Sequence, residues 1–141
     1  KIEENIKKSK ENDSLFALCF IDLNKFKDVN DNFGHHVGDM LLKHVGDILT
    51  NVLRENDTVA RLGGDEFVIL LENIESIDYL EKTISRIKSV SSKMPLLYSS
   101  SIIIDFSFSL GISLYPYDGD NVEKLLDKAD KNMYLYKQKS I

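Results

Sequence analysis

A chain of 141 residues with 43% hydrophobic side chains is the right size for one domain around a single core. A formal net charge of −5 argues against a general nucleic-acid surface, which would be basic, and leaves open a nucleotide held through metal ions. The lone Cys19 excludes an internal disulfide, and the longest apolar run, Leu15 to Ile21, is too short to span a membrane.

Residues 1–13 are polar and charged, with Ile2 and Ile6 the only large apolar side chains, and read as the end of a helix and a loop. The chain starts in mid-pattern without a signal peptide, as expected of a fragment of a longer protein; residues 1–141 read as one domain. The unbroken run Leu15 to Ile21 predicts a strand covered on both faces, with Cys19 a buried, inert thiol. Asp22 follows at the strand's C-terminal end. Asn24 is placed to cap a short helical turn through Lys25, Phe26 and Asp28.

A loop carrying Asn30, Gly34 and Gly38 then leads into a helix. Leu41, Leu42, Val45, Ile48, Leu49, Val52 and Leu53 recur at steps that define one buried stripe. That helix ends near Arg54-Glu55-Asn56-Asp57, and strands are expected at 58–62 and 66–71. Ser76 and Asp78 open another helix, which buries Ile77, Leu80, Ile84, Ile87 and Val90. Residues 97–105 have room for a short edge strand. From Phe106 to Leu114 apolar residues alternate with Ser107, Ser109, Gly111 and Ser113, predicting a strand with one buried face. Pro116 to Gly119 is a turn. Asp120 and Glu123 form a capping box for a last helix that buries Val122, Leu125, Leu126, Ala129, Met133 and Tyr136.

The element order gives a β-α-β-β-α-β, ferredoxin-like palm of class α/β (α+β), with helices on one face of a mainly antiparallel sheet. Its centre is Arg61-Leu62-Gly63-Gly64-Asp65-Glu66-Phe67. Gly63-Gly64 between two extended runs signals a tight hairpin, because such turns need positive φ. A tip without side chains also lets phosphates reach backbone N–H groups. Two acids there would repel phosphate unless a divalent cation lay between them. An ordinary surface hairpin with solvated acids is the plainer alternative. The topology makes strand one and the hairpin neighbours, so Asp22 and Asp65 form a candidate metal site.

These residues resemble the GGDEF family of diguanylate cyclases. The likeness rests on Arg61 to Phe67, on the stretch Asp22 to Asp39 (D-L-N-K-F-K-D-V-N-D-N-F-G-H-H-V-G-D), on Ser109-Leu110-Gly111-Ile112, and on Ala129 to Tyr134. It covers about residues 15–138 in the right order. The resemblance implies condensation of two GTP molecules into cyclic di-GMP and two pyrophosphates. Each 3′-hydroxyl would attack the α-phosphate of the other nucleotide, so two domains must meet in a transient homodimer. It also implies Mg2+ or Mn2+, two ions per half-site, an upstream sensor or regulatory domain, and a cytoplasmic location for the catalytic part. No nucleic-acid polymer and no membrane contact are expected within these residues.

Residue by residue, the resemblance makes Asp22, Asp65 and the Leu23 carbonyl the metal ligands. Asp65 would also accept the hydroxyl proton, with Glu66 supporting beside the metals. Lys27 and Lys137 would meet the phosphates, and Gly63 and Gly64 would let backbone approach them. Asn30 and Asp39 would read guanine; a carboxylate accepts from its N1–H and amine, which adenine does not match. His35 falls at the family's Gly-His position, while His36 and His44 have no implied role. Arg54 and Asp57, an R-x-x-D just upstream of the hairpin, resemble an inhibitory product site. The plainer alternative there is an arginine near a helix C-terminus.

The chain also departs from the family. Asn24 stands where the family has Asp, Ser140 and Ile141 stand at the Gly and Arg of its K-x-x-G-R ending, and the D-x-L-T segment that normally precedes residue 1 is absent. A weakly active or silent domain that senses GTP or cyclic di-GMP is therefore the alternative function. A palm acting on another nucleotide comes third, disfavoured by Asn30 with Asp39.

Overall fold

The computed structural model describes the backbone of residues 1–139 and the side chains of residues 1–137. Its elements are α1 (Ile2–Asn12), β1 (Leu15–Leu23), α2 (Phe26–Phe33), α3 (His35–Val52), β2 (Thr58–Gly63), β3 (Glu66–Ile74), α4 (Ile77–Lys93), β4 (Leu96–Leu97), β5 (Ile103–Ile104), β6 (Phe108–Tyr115) and α5 (Val122–Lys139). The main sheet has the order β2-β3-β1-β6, antiparallel throughout. This is the palm the element order predicts.

The helices do not keep to one face, as expected, but cover both. Ala17, Cys19, Ile21 and Leu23 of β1 pack with Leu41, Val45, Ile48 and Leu49 of α3 and Leu80, Ile84 and Ile87 of α4. The alternate positions Phe16 and Leu18 pack with Leu125 of α5, against Ile2 and Ile6 of α1. That is why β1 reads as a continuous apolar run. Burial pushes the Cys19 thiol up to about 12, so it is inert at neutral pH.

The second layer also overturns the one-faced reading of β6. Ser109 and Ser113 are fully buried, and the Ser113 hydroxyl donates to the Leu125 carbonyl at 2.8 Å. A Cβ on Gly111 would strike the backbone of α5 at Ala129 and Met133. The small alternating residues are the footprint of a close helix, not a solvated face.

Several local expectations shift. Asn30 lies inside α2 and Gly38 inside α3; the break between them is Gly34 at φ 93°. Asn24 does not cap α2. Lys25, in the left-handed region at φ 57°, holds that position without a side-chain bond, because the Asn24 side chain is spent on β6. The predicted strand in 97–105 is instead a separate two-stranded hairpin of β4 and β5. The cap of α5 is Asn121, whose Oδ1 accepts from the Lys124 N–H at 2.9 Å; Asp120 pairs with the Lys124 side chain instead. Ser76 caps α4 as expected, accepting from Tyr79 N–H at 3.1 Å. Ile77 is exposed, since it precedes the stripe that α4 buries.

Candidate active site

The site forms where β1 ends between β3 and β6. Asp22 stands opposite Glu66 on one side and Ser109 on the other. Gly63 is the last residue of β2, at φ 151°, and pairs with Glu66, so the two loop residues are Gly64 (φ 53°) and Asp65. The turn thus sits one residue later than Gly63-Gly64 suggests, and Asp65 belongs to the tip. The Leu23 N–H donates to the Asp65 carbonyl at 3.2 Å, which ties the tip to the end of β1. Arg61 Nε donates to the Gly64 carbonyl at 2.9 Å and braces the turn.

Asp22 and Asp65 are brought together as expected. The Asp22 side chain is only 15% exposed. Its Oδ2 accepts from Lys137 Nζ at 2.8 Å, and its Oδ1 is buried with no hydrogen-bond donor. The Asp65 carboxyl is held above its ordinary value by burial first, then by the negative charge of Asp22, with a smaller push from Glu66. Glu66 itself is exposed.

A donor-free, buried carboxylate oxygen facing a second acid is a poor arrangement for two bare anions and a good one for a cation. Among the described residues no group of three or more His, Cys, Asp or Glu forms a metal cage. Magnesium needs none; it keeps waters and takes one or two carboxylates plus substrate phosphates. Asp22, Asp65 and the Leu23 carbonyl are a donor set of that kind.

The remaining positions divide. Lys137 reaches Asp22, 115 residues away in sequence, and a cavity of about 700 Å³ beside Asp22 is lined by Asp22, Met133, Tyr134, Leu135 and Lys137 among others. Asn30 lies on Gly38, where a Cβ would collide with the Asn30 Oδ1, and Gly38 precedes the exposed Asp39. Lys27 on α2 and His35 at the start of α3 are exposed. No contact links either to the carboxylates among the described residues. Ser140 and Ile141, at the altered ending, lie outside the described residues.

Arg54 and Asp57 form a closed clasp. Arg54 Nη2 and Nε donate to Asp57 Oδ1 and Oδ2 at 3.1 and 3.2 Å, and Nη2 also donates to the Glu72 carbonyl. The backbone N–H groups of Arg54 and Glu72 donate to the same carboxylate at 3.1 and 3.3 Å. The guanidinium lies 4.8 Å over the Tyr79 ring, and the Asp57 side chain is 1% exposed. The Asp57 hydrogen bond, above all, strengthens the arginine's hold on its proton. Glu72 is six residues along β3 from Glu66, so this clasp lies roughly 20 Å from the acids by the rise of a strand.

Sequence reasoning missed the roles of Asn24, Ser107 and Ser109. Asn24 Nδ2 donates to Ser107 Oγ at 3.1 Å, and Ser109 Oγ donates to Asn24 Oδ1 at 2.8 Å. The serines recurring every second residue were the available signal.

An antiparallel palm with two carboxylates where its first strand meets its central hairpin defines an acidic-site α+β domain. Comparison with known proteins makes the class specific. The family described as "Diguanylate cyclase, GGDEF domain" matches residues 1–140. The bifunctional diguanylate cyclase/cyclic di-GMP phosphodiesterase MucR of Pseudomonas aeruginosa is 40% identical over 134 residues, 95% of this chain and 19% of MucR. Diguanylate cyclase TpbB of the same species is 36% identical over 141 residues, 99% of this chain and 32% of TpbB. The crystal structure of the TpbB GGDEF domain superposes with a TM-score of 0.91 at 34% identity, covering 96% of this chain and 84% of that one. The chain belongs to the GGDEF diguanylate cyclase family, whose named enzymes are nucleotidyltransferases. It spans about a fifth to a third of the length of these curated relatives.

Proposed function

We propose that this domain condenses two GTP molecules into cyclic di-GMP and two pyrophosphates, as half of a transient homodimer. The observation that carries this reading is the Asp22–Asp65 pair, with its bare Oδ1, at the tip of a glycine hairpin. Bound Mg2+ or Mn2+, two per half-site, would neutralise the triphosphate and lower the pKa of the attacking hydroxyl. Asp22, Asp65 and the Leu23 carbonyl would hold it. Asp65, whose proton affinity is already raised, is suited to accept the 3′-hydroxyl proton. Glu66 supports that acidic edge. Lys27 and Lys137 would offset charge on the phosphates, and Gly63 and Gly64 leave backbone N–H groups accessible to them. Asn30 and Asp39 would read the guanine edge, with His35 beside them.

Arg54 and Asp57 are proposed as the inhibitory product site. Guanine edges suit both groups, but each is already engaged, so product must open the clasp or use the outer edge of Arg54. An upstream sensor or regulatory domain and a cytoplasmic location, where GTP is available, complete the proposal. No helix among the described residues is long and apolar enough to cross a membrane.

A second reading, a silent domain that senses GTP or cyclic di-GMP, draws on Lys137 occupying Asp22. Incubation with GTP and Mg2+ at several protein concentrations, with chromatography for cyclic di-GMP, separates the two. Turnover rising faster than linearly with protein and lost in Asp65→Ala supports the cyclase. Nucleotide binding without product supports the sensor.

A further inference from the structure

We propose that Asn24 is a positioning residue that holds the Leu23 carbonyl and the end of β1 in place for divalent-cation binding. The inference rests on the cyclase reading of the same site. Asp22 is the last β1 residue paired on both sides, Leu23 still pairs with Phe108 of β6, and Asn24 carries the chain out of the sheet. The peptide N–H groups of Leu23 and Asn24 are tied in opposite directions. Leu23 N–H donates to the Asp65 carbonyl at 3.2 Å, toward the hairpin, and Asn24 N–H donates to the Ser107 carbonyl at 2.9 Å, toward β6. The Leu23 carbonyl belongs to the peptide unit between these anchors.

The next residue, Lys25, is left-handed at φ 57°, a conformation that costs a residue with a long side chain some strain. The Asn24 side chain restrains this turn. Its amide has one donor end and one acceptor end, and each has a partner: Nδ2 on Ser107 Oγ and Oδ1 on Ser109 Oγ. Ser109 is fully buried, so its hydroxyl has few other acceptors. Three hydrogen bonds therefore join Asn24 to the start of β6, counting its backbone N–H.

The chemistry of the clamp suits an amide or a carboxylate at position 24. The two serine hydroxyls can rotate, so a carboxylate at position 24 would accept from both and keep the same geometry. The amide achieves this without adding an anion to an edge that already carries Asp22, Asp65 and Glu66. Removing the side chain would instead leave the Ser109 hydroxyl buried without its acceptor and release the Lys25 turn. Partners that orient a metal ligand cost about tenfold or more in metal affinity when lost.

The test is Mn2+ binding to the metal-free protein without nucleotide, read by electron paramagnetic resonance. Asn24→Ala is expected to weaken binding about tenfold, and Asn24→Asp to restore it to the wild-type value or tighter. Ser107→Ala, at an exposed position that leaves the fold intact, should weaken it roughly fivefold through one lost hydrogen bond. Amide exchange at Leu23 and Asn24 should quicken in Asn24→Ala and return to normal in Asn24→Asp. Wild-type affinity in both Asn24→Ala and Ser107→Ala, or no Mn2+ binding by the wild type, overturns the inference. Mn2+ binding by the wild type with no cyclic di-GMP formed counts against the cyclase reading alone.

Discussion

Lys137 Nζ lies 2.8 Å from Asp22 Oδ2, and so the last helix sets a cation on the acid that β1 presents. In this state the ammonium stands where a divalent cation would draw charge from the same carboxylate. A metal taking the bare Oδ1 would compete with that ammonium for the charge of one carboxylate, and a lysine loosened from Oδ2 is then available to phosphate. Lys137→Met should therefore lose about tenfold in kcat/KM for GTP. It should also gain more in melting temperature on adding Mg2+ than the wild type does, because the metal no longer competes with an ammonium. Equal Mg2+-induced shifts in thermal melting would show that Lys137 and the metal do not share Asp22.

The raised proton affinity of Asp65 gives a pH signature. The folded, metal-free protein holds that proton more tightly than the unfolded chain. The resulting stabilisation is fully present below the unfolded value and is lost as pH rises through the higher folded value. Asp65→Asn removes this loss. It should melt above the wild type near neutrality and show a flatter profile across the acidic range, with turnover abolished. Melting scans across pH in chelator measure both. Parallel profiles would mean that neither burial nor Asp22 disfavours the ionised Asp65.

Gly38 tests the guanine reading. A Cβ there would collide with the Asn30 amide oxygen and crowd the Phe26 ring. Alanine favours a helix interior over glycine by about 1 kcal/mol, so the fold should tolerate Gly38→Ala while Asn30 is pushed aside. The expected result is a KM for GTP raised about tenfold, from the loss of a base contact, with kcat changed less. Unchanged discrimination between GTP and ATP in this variant would remove Asn30 from base recognition.

Arg54→Ala should do two things. Inhibition by added cyclic di-GMP should disappear, and urea unfolding should show a loss of about 2 kcal/mol, because the nearly inaccessible Asp57 loses its guanidinium and Glu72 a donor. Loss of stability with inhibition retained would make the clasp purely structural.

Much of this was legible in one dimension. The hairpin, the stripe of α3, the buried run of β1 and the period of two in β6 all follow from short-range rules of turn geometry and periodicity. The order of strands and helices placed Asp22 beside Asp65, since the ferredoxin-like topology makes β1 and β3 neighbours. The Ser76 cap of α4 was equally local.

What the tertiary structure decided lies in contacts between distant segments. Ser109, Gly111 and Ser113 look like a solvent face until α5 packs on them, because small residues mark either water or a close backbone. Asn24 is a good cap by type, yet two serines of the β6 edge, 83 and 85 residues away, outcompete the helix for its amide. Arg54 and Asp57 carry the pattern of a ligand site, and only the fold shows Glu72 and Tyr79 closing it. The sequence by itself determined which chemical groups exist and in which local element each sits. Whether a given donor meets a ligand, a helix end or another side chain was settled by packing, since hydrogen-bonding groups bind whatever the assembled layers bring within reach.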